Sequence, residues 1–306
     1  MDRRTLHLDF ADFWPNFEKT DNWLWHVLSQ RFDLVISDRA DLLVYSCYGD
    51  QHRAHSGVKV FLSHENRGWG FSQCDWAITS DYSRSSRHLR VPLWATMVPS
   101  ARGRRESGNR LLTDRGFATI VMSNGNSQTR ERMHDLLNSH AEVASGGRHR
   151  NNVGGPVADK HAFLGLYKFS IAFENSSYPG YTTEKLLHAL QADTVPIYWG
   201  DPLVGCDFNT KRFVNCHDFA DEAAVLQRII ELDQDDDQYL AMLAEPWFRD
   251  NVLPECADLT SILDFFDLVA NDTSTPVARR RLRPDTVLRT ALDRWAIRRR
   301  FLSRVT

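Results

Sequence analysis

The sequence predicts an α/β protein of two Rossmann-like domains carrying a basic C-terminal helical tail. Three observations lead there. Short apolar runs alternate with amphipathic stretches from residue 6 to residue 94; the same alternation restarts at 117; and residues 167–200 read as strand, helix, strand, with the length a βαβ crossover needs. With 306 residues, 42% hydrophobic and 25% charged, the chain has an ordinary globular composition and enough material for two cores.

In order, "LHLDF" (6–10), "DLVIS" (33–37), "DLLVYSC" (41–47), "KVFLS" (59–63) and "DWAITS" (75–80) read as buried strands. "DNWLWHVLSQRF" reads as a helix, with Asp21 or Asn22 as its cap and Trp23, Val27 and Leu28 near one face. "LRVPLW" (89–94) closes this unit. The polar, basic stretch 100–116 lacks periodicity and marks the domain boundary. The second half opens with "FATIVMSN" (117–124), whose small polar end before the helical "SQTRERMHDLLNSH" is where an open α/β sheet forms a ligand-binding edge. A Gly-rich loop (145–160) follows. Next come the strand "YKFSIAF", the helix "EKLLHALQA" and the strand "TVPIYWG". Three amphipathic helices, "DEAAVLQRIIEL", "DDQYLAMLAE" and "LTSILDFFDLVA", then close the second domain. The expected division is 1–115, 116–275 and a tail, 276–306.

No run of eighteen apolar residues appears, and the N-terminal residues lack the basic-then-apolar pattern of an export signal, so the expectation is a cytoplasmic chain. Five cysteines, none spaced C-x-x-C, fit neither a disulfide framework nor a zinc site and are expected to be reduced core residues. Charge is uneven: from Pro276 onward ten arginines face two aspartates, about +8, which leaves about −11 for the body of a chain whose net charge is −3.

The segment "FENSSYPGYTTEKL" (173–186) crowds polar groups around a Pro-Gly turn before a helix. Lys185 in the first helical turn opposes the helix dipole, a cost that an anionic ligand would reverse. The alternative is a solvated Glu184–Lys185 pair with Tyr178 and Tyr181 packing the turn. "DQDDDQ" (233–238) resembles the start of an EF-hand, but Gln238 and Ala244 stand where that loop needs glycine and a bidentate glutamate, so a linker and helix cap account for it better.

"YKFSIAFENSSYPGYTTEKLLHAL", with "VPIYWGDP" and "FVNCHDF", resembles the donor-binding signature of the α-1,3-fucosyltransferases, particularly the short bacterial ones. The likeness extends more loosely to "VMSNGNSQTRERMHDLLN", "KVFLSHEN" and "YSRSSRHLRVPLW", and excludes the tail after about 275. It implies a GT-B glycosyltransferase whose two domains face a cleft, with the acceptor on 1–115 and GDP-fucose on 116–275. It further implies Arg130 and Lys185 on the diphosphate, Glu184 on the ribose, Asn175 and Tyr181 on other parts of the donor, Ser123 and Asn124 along its edge, and Glu65 as general base. No metal or other cofactor is required on this reading.

The chemistry suits those assignments. A departing diphosphate gathers negative charge that Arg130 and Lys185 would offset, and a carboxylate such as Glu65 can take the proton of an attacking hydroxyl. An exposed rim carboxylate is the competing reading of Glu65. His64 joins proton transfer, binds acceptor hydroxyls, or is a neutral surface residue. Arg67 and Trp69 offer an acceptor platform, with core packing as the alternative for Trp69. Two other functions stay open: a non-catalytic nucleotide-sugar or glycan binding protein, and a transferase of another GDP-sugar. In the tail, Leu288, Ala291, Leu292 and Trp295 recur at helical spacing opposite Arg289, Arg294 and Arg298, which suits an anionic membrane surface. A solvated extension and nucleic-acid binding are the alternatives; no aromatic stacking platform or DNA-reading motif accompanies the charge, so nucleic acid is not expected as a partner.

Overall fold

The computed structural model describes residues 3–100, 112–123, 125 and 127–279. They form two compact units, one from the segment up to Thr96 together with the segment from Glu255, the other from Met97–Pro254.

The first unit holds six parallel strands: β1 (Arg4–Ala11), β2 (Phe32–Ile36), β3 (Leu42–Tyr45), β4 (Val58–Ser63), β5 (Trp76–Thr79) and β6 (His88–Arg90). Their order across the sheet is β2-β1-β3-β4-β5-β6. β3 and β5 are buried at every position, as expected where crossovers cover both faces of a parallel sheet. Helix α1 (Trp23–Leu28) starts where Asn22 caps it, the side chain accepting from Trp25 N, and its Leu24 and Leu28 are fully buried. Each such burial contributes about 1.5–3 kcal/mol.

In the second unit, β7 (Gly116–Ile120), β8 (Val143–Ser145), β9 (Tyr167–Phe173), β10 (Val195–Trp199) and β11 (Val214–Asn215) form a parallel sheet in the order β11-β10-β9-β7-β8. Helix α2 (Gln128–Asn138) is capped by Ser127, α3 (Lys160–Leu164) by Asp159, and α4 (Glu184–Gln191) follows Thr183. Asp221 caps α5 (Glu222–Gln234) and Asp235 caps α6 (Asp236–Ala244), accepting from Gln238 N at 3.0 Å. Asp233 pairs with Lys168 at 3.1 Å, so the acidic run supplies a cap and an ion pair. The core gathers Phe169, Ile171, Ile197, Met133, Leu137 and Ile229 between sheet and helices.

Three elements escaped the sequence reading: β8 is only three residues long, β11 only two, and α3 lies at the end of the Gly-rich stretch. The domain division is also corrected. Helix α7 (Leu259–Ala270), expected within 116–275, joins the first unit. Its Phe265 meets the Trp76 ring edge-on at 5.4 Å, and its Asp264 and Asp267 each accept from Arg31 at 2.6 Å. Periodicity identifies an amphipathic helix but not the sheet on which its apolar face settles. Of the tail, Val277 is buried and its N–H donates to Asp75 Oδ1 at 2.7 Å in the first unit; residues from 280 onward lie outside the described residues. Cys74 is buried as expected, whereas Cys206 is exposed. No helix among the described residues is long and apolar enough to cross a membrane.

Replacing Phe265 with alanine should therefore cost about 3–5 kcal/mol, the usual loss for a core aromatic, and should accelerate amide exchange in β5 and α1 while sparing β9 and β10. Equal acceleration in the second sheet would assign α7 there.

Candidate functional site

In the second sheet the chain passes from β7 to β8 on one side, then returns to place β9 on the other side of β7. Loops leaving the carboxyl ends of β7 and β9 therefore diverge, and such a reversal is the usual binding crevice of an open α/β sheet. After β7 come Ser123, which is exposed, and Asn124, which lies outside the described residues. Ser127 then starts α2, which raises Arg130 toward the gap. Following β9 come Glu174, Asn175 and the turn into α4.

Arg130 spans the reversal. Its guanidinium is buried and donates to Phe173 O at 3.0 Å and to Asn175 Oδ1 at 2.8 Å. Lys185 approaches from α4, and Lys160, the first residue of α3, joins them. These three cations line one cavity with Val121, Ile171 and Phe173. Three cationic side chains around one pocket at a sheet switch point suit a polyanion such as a diphosphate.

Most of the crowded loop turns inward. Glu174, 0% exposed, accepts from Thr183 N and Thr183 Oγ1 at 2.7 Å each, and from Lys185 Nζ at 3.0 Å. Lys185 also donates to Thr183 Oγ1 at 2.8 Å and lies 3.8 Å from Glu184. The partner that offsets its unfavourable place in the first helical turn is thus Glu174 more than Glu184, and the pair is not solvated on the carboxylate side. Asp201, also fully buried, accepts from Gly180 N, Leu203 N and Thr182 Oγ1, fixing the Pro-Gly turn. Tyr181 is buried in this turn, while Asn175 is exposed beyond its bond to Arg130.

Burial raises Glu174 above the ordinary glutamate value, against the opposing pull of Lys185 and Thr183. For Glu184 burial also pushes upward, but Lys185, a backbone N–H, Lys160 and His188 outweigh it and leave the group below its ordinary value. Burial lowers both Arg130 and Lys160. It also pushes His188 down to about 4, with Lys160 adding to the effect. The neutral His188 can therefore accept from Lys160 Nζ, 3.1 Å from its Nδ1. Lys160, Glu174 and His188 were not singled out in the sequence. A charged residue directly after the apolar run of β9, and a lysine directly after the Asp159 cap, were the available signals.

The other candidates belong to the first unit, at the end of β4. Glu65 is exposed, its N–H donates to Ser63 Oγ at 3.2 Å, and its Oε1 accepts from the Tyr48 hydroxyl at 3.1 Å. Burial, with Glu65 adding, raises the Tyr48 phenol to about 12, so it is a donor at neutral pH. His64 is half-buried beside the Trp23 ring, and burial pushes it down to about 4. Arg67 is exposed. Trp69 is packed: its Nε1 donates to Asp81 at 2.6 Å, its ring stacks on His88 at 4.9 Å, and it lies against the core cluster of Tyr45, Phe61 and Ala77. For Trp69 the geometry favours core packing over a sugar platform.

Comparison with known proteins agrees with both units. Residues 8–97 match the α-(1,3)-fucosyltransferase FucT N-terminal domain, and residues 113–252 match the C-terminal part of glycosyltransferase family 10 (fucosyltransferase). The chain is 32% identical over 285 residues to the α-(1,3)-fucosyltransferase FucT of Helicobacter pylori, covering 78% of this chain and 60% of that protein's length. A crystal structure of an α1,3-fucosyltransferase with GDP-fucose superposes with a TM-score of 0.80 at 28% identity, over 90% of this chain and 93% of the other. A third similarity, to Anabaena HepE in complex with UDP and glucose, has a TM-score of 0.54 at 8% identity and bears on the fold alone. The architecture is of the GT-B type.

The site also sets a pH dependence. The unfolded chain protonates His188 near its ordinary 6.5 while the folded chain resists until about 4. The stability this residue contributes is therefore complete above 6.5 and is lost as pH falls toward 4. Glu174, being raised, acts oppositely: its contribution is complete below the ordinary 4.5 and declines as pH rises through its elevated value. The difference in stability between wild type and His188→Gln should shrink from pH 7 to pH 4, read from denaturant midpoints. A difference independent of pH would show that His188 is not held neutral.

Proposed function

This chain belongs to glycosyltransferase family 10, the fucosyltransferases, and on that premise we propose that it moves L-fucose from GDP-fucose to a hydroxyl of an N-acetylglucosamine-containing glycan in α-1,3 linkage. The observation that carries the reading is the convergence of Arg130, Lys160 and Lys185 on one cavity at the switch point of the second sheet. The relatives' α1,3-fucosyltransferase activity and a relative's complex with GDP-fucose support donor and linkage.

The reaction is a single displacement with inversion. The acceptor oxygen attacks C1 of fucose, the C1–O bond to the β-phosphate breaks, and GDP leaves with the electron pair. Charge gathers on that phosphate oxygen as the bond lengthens. Cations fixed beforehand gain more there than in the ground state, so they lower the barrier. Arg130 is held by Phe173 O and Asn175, and Lys185 by Glu174, so neither has to be ordered when the donor arrives. Glu184 takes the ribose hydroxyls, while Asn175, Tyr181, Ser123 and Asn124 take the remaining donor contacts. Glu65 accepts the proton of the attacking hydroxyl, and inversion turns the β-linked donor into an α-fucoside. His64 and Arg67 contact acceptor hydroxyls. Residues 280–306 place the chain peripherally on an anionic membrane; vesicle co-sedimentation should then be lost on truncation after 279, and equal binding by both forms would end that assignment.

Incubation with GDP-fucose and a glycan panel, followed by mass and linkage analysis of the products, tests the activity directly. Glu65→Gln should abolish transfer while GDP affinity persists, and near-normal turnover would remove Glu65 from the mechanism. Arg130→Ala and Lys185→Ala should each lower kcat/KM about 10²–10³-fold, the usual scale for losing one charge-stabilising donor. Lys160→Met should produce a smaller loss expressed chiefly in donor KM.

A further inference from the structure

We propose that Trp14 and Tyr48 form a shelf on which one pyranose ring of the acceptor glycan stacks beside Glu65. This inference rests on the reading of Glu65 as the base for the transfer. It begins from topology. The first sheet reverses just as the second does, with β2 on one side of β1 and β3 on the other. The crevice at its switch point is therefore bounded by the loops that follow β1 and β3, with the loop after β4 beside them. Trp14 lies in the first of these loops, Tyr48 in the second and Glu65 in the third.

Among the described residues, Trp14 and Tyr48 are the two exposed Trp, Tyr or Phe side chains, each at 50%. They meet edge-to-face at 6.2 Å, and the Tyr48 hydroxyl donates to Glu65 Oε1. Two half-exposed rings in contact with each other and with a carboxylate differ from scattered surface apolar residues, which need no explanation. A pyranose has an apolar C–H face and a rim of hydroxyls. A shelf of ring surface edged by a phenol and a carboxylate complements both parts of it.

The shelf is also held rigidly. Asp12 has a positive φ of 60°, and its buried carboxylate accepts from Gln51 N at 2.9 Å, from His52 N at 3.0 Å and from His52 Nδ1 at 2.6 Å. Its carbonyl accepts from Tyr48 N at 2.9 Å. Gly49 is required here, because a Cβ at that position would run into the Asp12 carboxylate. Behind Trp14, Phe13 and Phe17 stack at 4.0 Å, and each meets Trp14 edge-on. One buried aspartate thus fixes both loops, and the aromatic surface they present is preorganised.

The test uses the full-length protein with N-acetyllactosamine as probe, reading saturation-transfer NMR, acceptor KM and, separately, GDP affinity. Trp14→Ala should raise acceptor KM at least tenfold and erase the sugar-ring signal with GDP affinity unchanged, and Trp14→Phe should recover most of the loss. Tyr48→Ala should behave like Trp14→Ala. Unaltered acceptor KM in both alanine variants would overturn the shelf, as would a parallel loss of GDP affinity or failure of wild type to bind the probe. Wild type that binds the probe through Trp14 yet makes no fucosylated product would uphold the shelf and refute the proposed activity. Transfer undiminished in Trp14→Ala would do the reverse.

Discussion

In both sheets the second strand lies to one side of the first and the third to the other, and every strand runs parallel to its neighbours. Crossovers of one hand then leave the first and third strands toward opposite faces, so the loops at their carboxyl ends part and cannot cover each other. The gap is a necessity of the topology, present before any functional side chain is chosen. In the second sheet it is lined by arginine and lysine; in the first by tryptophan, tyrosine and glutamate. The same scaffold thus yields a crevice suited to anions and one suited to an amphipathic ring, and the difference lies wholly in the loops.

The polar crowding between Phe173 and Leu186 has two physical origins. Lys185 lines the cavity and Asn175 holds Arg130, which lines it too, but Glu174, Thr182, Thr183 and Asp201 are buried and satisfy one another or the backbone. A buried carboxylate is costly unless paired. Glu174 meets that condition with three donors, one of which is the lysine assigned to the donor diphosphate. The interaction that fixes the loop is therefore the one that aims the cation. Removing Glu174 would unsettle structure and site together.

Much of this was legible in the sequence because parallel strands buried on both faces leave continuous apolar runs. β3, β4, β5, β9 and β10 were readable for that reason, and Asn22 was one of the two caps offered for α1. The three-residue β8 is too short to carry a period, and α3 hides in a stretch whose composition signals a loop. Helix α7 was identified, but its partner surface depends on Trp76 and Arg31, more than 180 positions away. Among the residues that the resemblance singled out, Arg130 bonds Asn175 and shares one cavity with Lys185. Lys160 did not announce itself, since only folding brings α3 beside α4. The aromatics show the limit most clearly: Trp69 left an acceptor platform and core packing both open, and the fold commits its indole N–H to Asp81 and its ring to His88. No local pattern distinguishes such a ring from Trp14.

Gly200, directly after β10, carries no charge, yet a Cβ there would collide with the Glu174 side chain. The space a methyl group would need is where the Cβ and Cγ of that side chain sit, the two carbons that carry the carboxylate to Lys185. Tolerance to substitution at this position is thus governed by a steric veto from the neighbouring strand. A survey of inactive variants that scored only ionisable positions would pass over the smallest residue on which the alignment of Lys185 depends.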